Sequence, residues 1–362
     1  MKFFIKFYNL IIKILANFVI NKNDRKYFAA KYSILRRNNT NTPYLKSKIY
    51  KKIYYPKYSK NTVFNSSQPE IYNKNGSRLT TLYFRSDTNV IGFQNITGEY
   101  LFSDKYNIAL DYHLYADTCM LEKMGNPKKC YGIFSEPKAM SPLPYAMFEQ
   151  NKDLYKDFDL IFTHSEKILD TWDNARPFAY FTSVWHMLSD ENGNLAKDWY
   201  EKKTKDISIV SSNKQACTLH KFRYELAKKC KREHLADTYG TFDGGRLVNV
   251  EEYLDNYRYS IVVENDIEAY WFTEKIVNCF ATMTIPVYIG ATKIGEFFNE
   301  DGIIRITEKD FDNIDKILKQ CTKEEYESRI DILKENFEKS KQFCGSSWDR
   351  LYKKYLKEDL EK

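Results

Sequence analysis

Between residues 207 and 290 three apolar runs, ISIVSS (207–212), YSIVVEN (259–265) and IPVYIG (285–290), alternate with helical patterns at Leu219–Cys230 and Thr273–Met283. Residues apolar at consecutive rather than alternate positions belong to strands covered on both faces. Strands that alternate with helices build a parallel sheet with crossover helices. A looser alternation of the same kind precedes it, through RLTTLYF, NIALDYHLY, CYGIFSEP, DLIFTHS and FAYFTSVWH, with a helical stretch at Ser165–Trp172. The pattern predicts an α/β protein with two Rossmann-like domains facing a cleft. Their expected limits are 70–190 and 207–322, joined by a polar linker at 191–206. An arm and connector at 1–69 come first, and charged helices at 323–362 pack back at the end.

Ligands of open parallel sheets bind beyond the carboxyl ends of the strands, against helix N-termini. In the second domain that rule selects Ser211–Arg223 and Glu264–Lys275.

Charge is distributed unevenly. Of the chain's 56 Lys/Arg and 49 Asp/Glu, residues 1–60 hold 15 and one, so the body carries more acids than bases. No nucleic-acid groove is expected on such a body. Within the arm, Lys2, Lys6, Asn9, Lys13 and Asn17 fall on one helical face, and the rest of residues 3–20 is largely apolar. Lys13 would sit in the middle of any membrane span, where a charge costs about 2.5–3.5 kcal/mol. No small-residue cleavage site follows. An amphipathic helix lying in the surface of an anionic membrane fits better, with residues 22–52 as the polybasic partner. Packing of this helix on the body is the alternative. Seven scattered cysteines form no Cys-x-x-Cys pair, which points to free thiols and a cytoplasmic setting, peripheral on the inner face of the membrane.

Residues 264–298 carry the most specific pattern: Glu264-Asn265, then Trp271-Phe272-Thr273-Glu274-Lys275, an apolar helix, Pro286-Val287-Tyr288 and Gly290. This resembles the donor-binding region of family 10 glycosyltransferases, the α-1,3/1,4-fucosyltransferases, in their bacterial form. A weaker resemblance extends through roughly residues 130–310. It implies a GT-B-like fold, a GDP-sugar donor (GDP-fucose foremost) and transfer to a glycan hydroxyl with inversion. Two positions depart from the family pattern: Trp271 stands where tyrosine is usual, and Thr292 where proline is common.

The residues themselves agree with that implication. Thr273 can cap the helix and leave free N–H groups for a diphosphate. Lys275 adds a full positive charge. Glu274 repels phosphate and makes sense as an acceptor for sugar hydroxyls. The resemblance assigns Glu274 and Lys275 to the nucleotide-sugar, and Asn265 and Trp271 to the donor loop. A family arginine that contacts the diphosphate corresponds to Arg223, with Lys221 as the competitor in register; a guanidinium grips phosphate bidentately.

A base must deprotonate the acceptor hydroxyl as it attacks the anomeric carbon. Glu136, in Ser135-Glu136-Pro137, resembles the family's catalytic glutamate. Asp111, His113 and His164 are further candidates for the acceptor cleft. Two Asp-x-Asp tripeptides, Asp157-Phe158-Asp159 and Asp310-Phe311-Asp312, could in principle chelate a metal. The first precedes a buried strand and the second lies in a charged loop, so no metal and no cofactor is expected. The basic arm suggests a lipid-linked or lipopolysaccharide-type acceptor. Another GDP-hexose as donor, or a catalytically idle binding scaffold, are the alternatives.

Overall fold

The computed structural model describes residues 2–19, 70–86, 96–121, 123, 126–150, 152–188 and 199–360. The polybasic stretch at 22–52 and most of the connector lie outside them. The chain divides into two compact units. Unit 1 comprises residues 1–178 and 348–362, and unit 2 residues 179–347.

Unit 1 begins with helix α1 (Lys2–Ala16). Its strands are β1 (Thr80–Arg85), β2 (Ile96–Thr97), β3 (Leu101–Asp104), β4 (Tyr112–Ala116), β5 (Lys129–Ile133), β6 (Leu160–Thr163) and β7 (Ala175–Pro177). Among the described residues they form one sheet in the order β2-β3-β1-β4-β5-β6-β7. All pairings are parallel except β2 with β3. Helices α2 (Pro142–Gln150) and α3 (Glu166–Thr171) follow β5 and β6. Phe134, Tyr145, Phe148 and Trp172 close an aromatic core over this part of the sheet.

Unit 2 contains β8 (Lys205–Val210), α4 (Thr218–Glu233), β9 (Asp237–Tyr239), α5 (Val250–Leu254), β10 (Tyr257–Val263), α6 (Glu274–Ala281), β11 (Ile285–Ile289) and β12 (Ile304–Arg305). Helices α7 (Ile314–Leu318), α8 (Lys323–Ser328) and α9 (Ile330–Ser340) complete it. The sheet runs β12-β11-β10-β8-β9, and every pairing is parallel. All seven residues of β10 are buried, as a strand covered on both faces requires. Tyr259, Ile261 and Val263 enter one apolar cluster, whereas Val262 enters the other with Ile276 and Phe280 of α6. Pro286, which has no N–H to give, sits in β11 where the short β12 has not yet begun to pair.

Two boundaries differ from expectation. The break falls at Phe178/Ala179, because residues 179–188 pack with unit 2: Leu188 N donates to Ala281 O, and Trp185 N to Asn278 Oδ1. The expected linker is partly structural too. Lys203 is buried and donates to Leu254 O and Thr284 Oγ1, and Lys205 and Asp206 already belong to β8.

The terminal helices also part company. Those up to Ser340 belong to unit 2, while helices α10 (Ser347–Leu351) and α11 (Lys357–Leu360) lie across unit 1. There Trp348 meets Phe84 edge-on, Asp349 accepts from Glu99 N and Tyr100 N, and Tyr131 Oη donates to Asp359. None of the seven cysteines, all among the described residues, is in a disulfide, and only Cys344 is exposed.

No helix among the described residues is long and apolar enough to cross a membrane. In α1 and just after it, Leu10, Ile11, Ile14, Leu15 and Phe18 are exposed, whereas Ile12 and Ala16 are buried.

Candidate functional site

In unit 2 the chain leaves β8 for the sheet edge at β9 and then returns to place β10 beside β8. That reversal opens a crevice at the carboxyl ends of β8 and β10. A cavity of about 560 Å³ occupies it, of a size that suits a nucleotide. Ser211 and Ser212 after β8, Arg223 on α4, and Glu274 and Lys275 at the start of α6 line one part. Trp185, His186, Asn249, Glu251 and Tyr253 line another.

The start of α6 is organised around a carboxylate. Glu264, directly after β10, is fully buried and accepts from Thr273 N at 2.9 Å and from Thr273 Oγ1 at 2.9 Å. Lys275 Nζ lies 3.3 Å from Glu264 Oε2, 3.4 Å from Glu274 Oε1 and 2.8 Å from Thr273 Oγ1. Burial raises the Glu264 pKa, and Lys275 only partly offsets this. Burial pulls the Lys275 ammonium down, but the two carboxylates outweigh it and its pKa is raised. Lys275 therefore stays charged.

This arrangement corrects one expectation. Thr273 does cap α6, but the first two N–H groups of the helix, those of Glu274 and Lys275, are already engaged. Thr273 N goes to Glu264, Glu274 N to Phe181 O at 2.7 Å, and Lys275 N to Thr273 Oγ1 at 3.4 Å. A helix N-terminus favours an anion, and here the protein supplies its own in Glu264.

Arg223 is a second side-chain cation. It is buried, and its Nη1 donates to Val263 O at 2.8 Å. Its Nε, also buried, has no hydrogen-bond partner among the described residues. A buried guanidinium with an unfilled donor is costly, and Arg223 lines the cavity. Lys221, the competitor in register, is exposed and does not line the cavity.

Two other donor-loop residues, Trp271 and Asn265, have partners within unit 2. Trp271 is buried, packed edge-on against Phe181, and offers no face to a ligand. Asn265 holds the loop after β10 to α4: its Oδ1 pairs with His220 Nε2 at 2.8 Å, and its carbonyl accepts from Cys217 Sγ. His220 is buried, and its pKa is pushed down to about 4, chiefly by desolvation and then by Arg223.

In unit 1 the reversal of strand order falls between β1 and β4. Arg85 ends β1, Asp117 follows β4, and Ser135 and Glu136 follow β5, all at the carboxyl edge. Glu136 is half-buried, and its carbonyl accepts from Tyr145 Oη at 2.9 Å.

The acceptor candidates separate by edge and by burial. Asp111 precedes β4, so it lies at the opposite end of a parallel sheet from Glu136, where it pairs with Lys128 at 2.9 Å. His113, early in β4, is buried with Nδ1 2.8 Å from Tyr115 Oη. His164 follows β6 at the same edge as Glu136, yet it is fully buried and bonds Tyr145 Oη through Nε2 at 2.9 Å. None of the three presents a side chain at the surface beside Glu136.

One residue of each Asp-x-Asp pair accepts a backbone N–H. Asp159 Oδ2 accepts from Cys130 N and Asp310 Oδ2 from Thr307 N, each at 2.7 Å.

Three participants were not foreseen. Glu264 was read only as part of a motif, although an acid that ends an apolar strand at its carboxyl edge is itself a signal. Asp117 follows YHLYA in the same way. His186, whose ring nitrogens lie 3.4 Å from Glu251 and 3.0 Å from Asp255, gave no local sequence signal.

Residues 200–329 match the model of Glycosyltransferase family 10 (fucosyltransferase) C-term. Alpha-(1,3)-fucosyltransferase FucT of Helicobacter pylori is 29% identical over 75 residues, a span of 21% of this chain and 15% of that protein. A crystal structure of alpha1,3-fucosyltransferase with GDP-fucose is similar over 77% of this chain and 87% of its own, at 17% identity and a TM-score of 0.45. The same enzyme type with GDP gives 17% identity, 77% and 86% coverage, and a TM-score of 0.43.

Proposed function

We propose, from the match of residues 200–329 to the family 10 glycosyltransferase C-terminal model, that the chain transfers L-fucose from GDP-fucose to a glycan hydroxyl. The observation that carries the reading is the cavity of unit 2. It brings Arg223, Glu274 and Lys275 to one wall at the switch point of a parallel sheet. Arg223 and Lys275 hold the diphosphate and stabilise its charge as the glycosidic bond breaks. Glu274 accepts hydrogen bonds from sugar hydroxyls.

Glu136 takes the proton of the acceptor hydroxyl as that oxygen attacks the anomeric carbon from the side opposite the diphosphate. The bond to the sugar forms as the bond to GDP breaks, and the configuration inverts. The side-chain cations supply the charge stabilisation that a metal supplies in other transferases, so the reaction proceeds without one. The acceptor is a surface or lipid-linked glycan of lipopolysaccharide type, reached from the cytoplasmic face of the membrane. The exposed apolar side chains Leu10, Ile14 and Phe18, with the basic residues of the arm, support attachment to anionic lipid.

Incubating the full chain with GDP-fucose, EDTA and a glycan panel tests the reading. Release of GDP with a fucosylated product is expected. Donor binding without turnover on any acceptor points to an idle scaffold, and transfer from a different GDP-hexose replaces fucose. Activity lost in EDTA and restored by Mn²⁺ overturns the metal-free mechanism.

A further inference from the structure

Glu136 is held by its neighbours on three sides. Asp117, fully buried at the switch point of unit 1, accepts from Ser135 N at 3.0 Å, and its second oxygen bonds Ser135 Oγ. It does so from the left-handed region, with φ +52°, where Asp is tolerated better than most residues. Pro137 restricts Glu136 to extended backbone from the other side.

The carbonyl of Glu136 itself is bonded by Tyr145 Oη at 2.9 Å. A phenol has one proton, so with that proton on Glu136 O, the Tyr145 oxygen accepts from His164 Nε2, 2.9 Å away. Burial pushes the His164 pKa down to about 3. The ring is therefore neutral throughout the neutral range, and its Nε2 stands at hydrogen-bond distance from the Tyr145 hydroxyl.

We propose that Asp117 and the Tyr145–His164 pair are positioning residues that fix the direction of the Glu136 carboxylate. They reach it from three separate elements, the ends of β4 and β6 and the middle of α2, which converge at one sheet edge. None of them is required to touch substrate. The inference rests on Glu136 being the base. It goes beyond that reading by naming the groups that aim it. A misplacement of about 1 Å at a reacting group can cost about 10²-fold in rate.

The test compares Asp117→Asn, Tyr145→Phe and Glu136→Gln in the full chain with GDP-fucose and a working acceptor. Asparagine keeps the shape and tolerates the left-handed backbone, and phenylalanine removes one hydroxyl. For Asp117→Asn and Tyr145→Phe, kcat should fall about 10- to 100-fold. The KM for GDP-fucose should stay within about two-fold, because the donor residues are untouched. The acid limb of the kcat pH profile should move in both variants. A purely structural role lowers Tm and leaves the kcat and pH profile of the folded fraction unchanged; that result overturns the proposal. Should Asp117→Asn fail to fold, Tyr145→Phe decides alone. Wild-type kcat in Glu136→Gln sinks the base assignment itself. Collapse of Glu136→Gln beside unaffected Asp117→Asn and Tyr145→Phe sinks only the positioning.

Discussion

Gly290 lies where any side chain would strike Glu264. A β-carbon on Gly290 would fall 2.6 Å from Glu264 Cγ and 2.3 Å from Tyr288 Oη. The end of β11 can thus approach the buried carboxylate only as glycine. Gly290→Ala should move Glu264, loosen Thr273 and Lys275, and cost about 1–3 kcal/mol in stability. GDP affinity should drop at least about ten-fold, the equivalent of 1.4 kcal/mol. Thermal unfolding and GDP titration of the variant check both effects.

Glu136→Gln removes a proton acceptor and keeps the shape. We expect kcat to fall by about 10²–10⁴ with GDP binding unchanged. Steady-state kinetics alongside GDP titration separate the two quantities.

Acid should weaken both units. The His164 pKa is lowered from 6.5 to about 3 and that of His220 from 6.5 to about 4, in each case first by burial. Each histidine takes up a proton in the unfolded chain before it does so in the fold. Their contribution is complete above pH 6.5 and is lost as pH falls through the folded values. At pH 5 each withdraws up to about 2 kcal/mol. Urea unfolding at pH 7.5 and pH 5 should show the decline, and His164→Gln should flatten it in unit 1.

Leu10, Ile14 and Leu15 of helix α1, and Phe18 just after it, are exposed. Leu10→Asp with Ile14→Asp should abolish flotation with anionic vesicles and leave GDP affinity intact. Vesicles without anionic lipid should bind the wild type weakly, and salt should release it. Retained flotation in the double variant would place the attachment elsewhere.

Much of unit 2 was legible in the sequence because its strands are buried on both faces. Such strands read as unbroken apolar runs, and the runs near 207, 259 and 285 became β8, β10 and β11. Thr273 as a cap was likewise a local consequence of a helix following a strand. Three-dimensional packing decided the rest. Nothing in a linear pattern says that Trp271 turns inward, or that Glu264 takes up the N–H and the hydroxyl of Thr273. Asp111 and His164 looked equivalent as polar residues beside strands, but only strand direction tells the amino edge from the carboxyl edge. The first domain was read less sharply because its strands are shorter and its partners, Asp117 with Ser135 and Tyr145 with His164, meet across elements.

The most direct test is equilibrium titration of the full chain with GDP and with UDP, repeated on Arg223→Ala and Lys275→Ala. GDP should bind more tightly than UDP without added metal. Each variant should lose at least about ten-fold in GDP affinity. Tighter binding of UDP, or GDP affinity unchanged in both variants, would contradict a GDP-sugar diphosphate held in the cavity of unit 2.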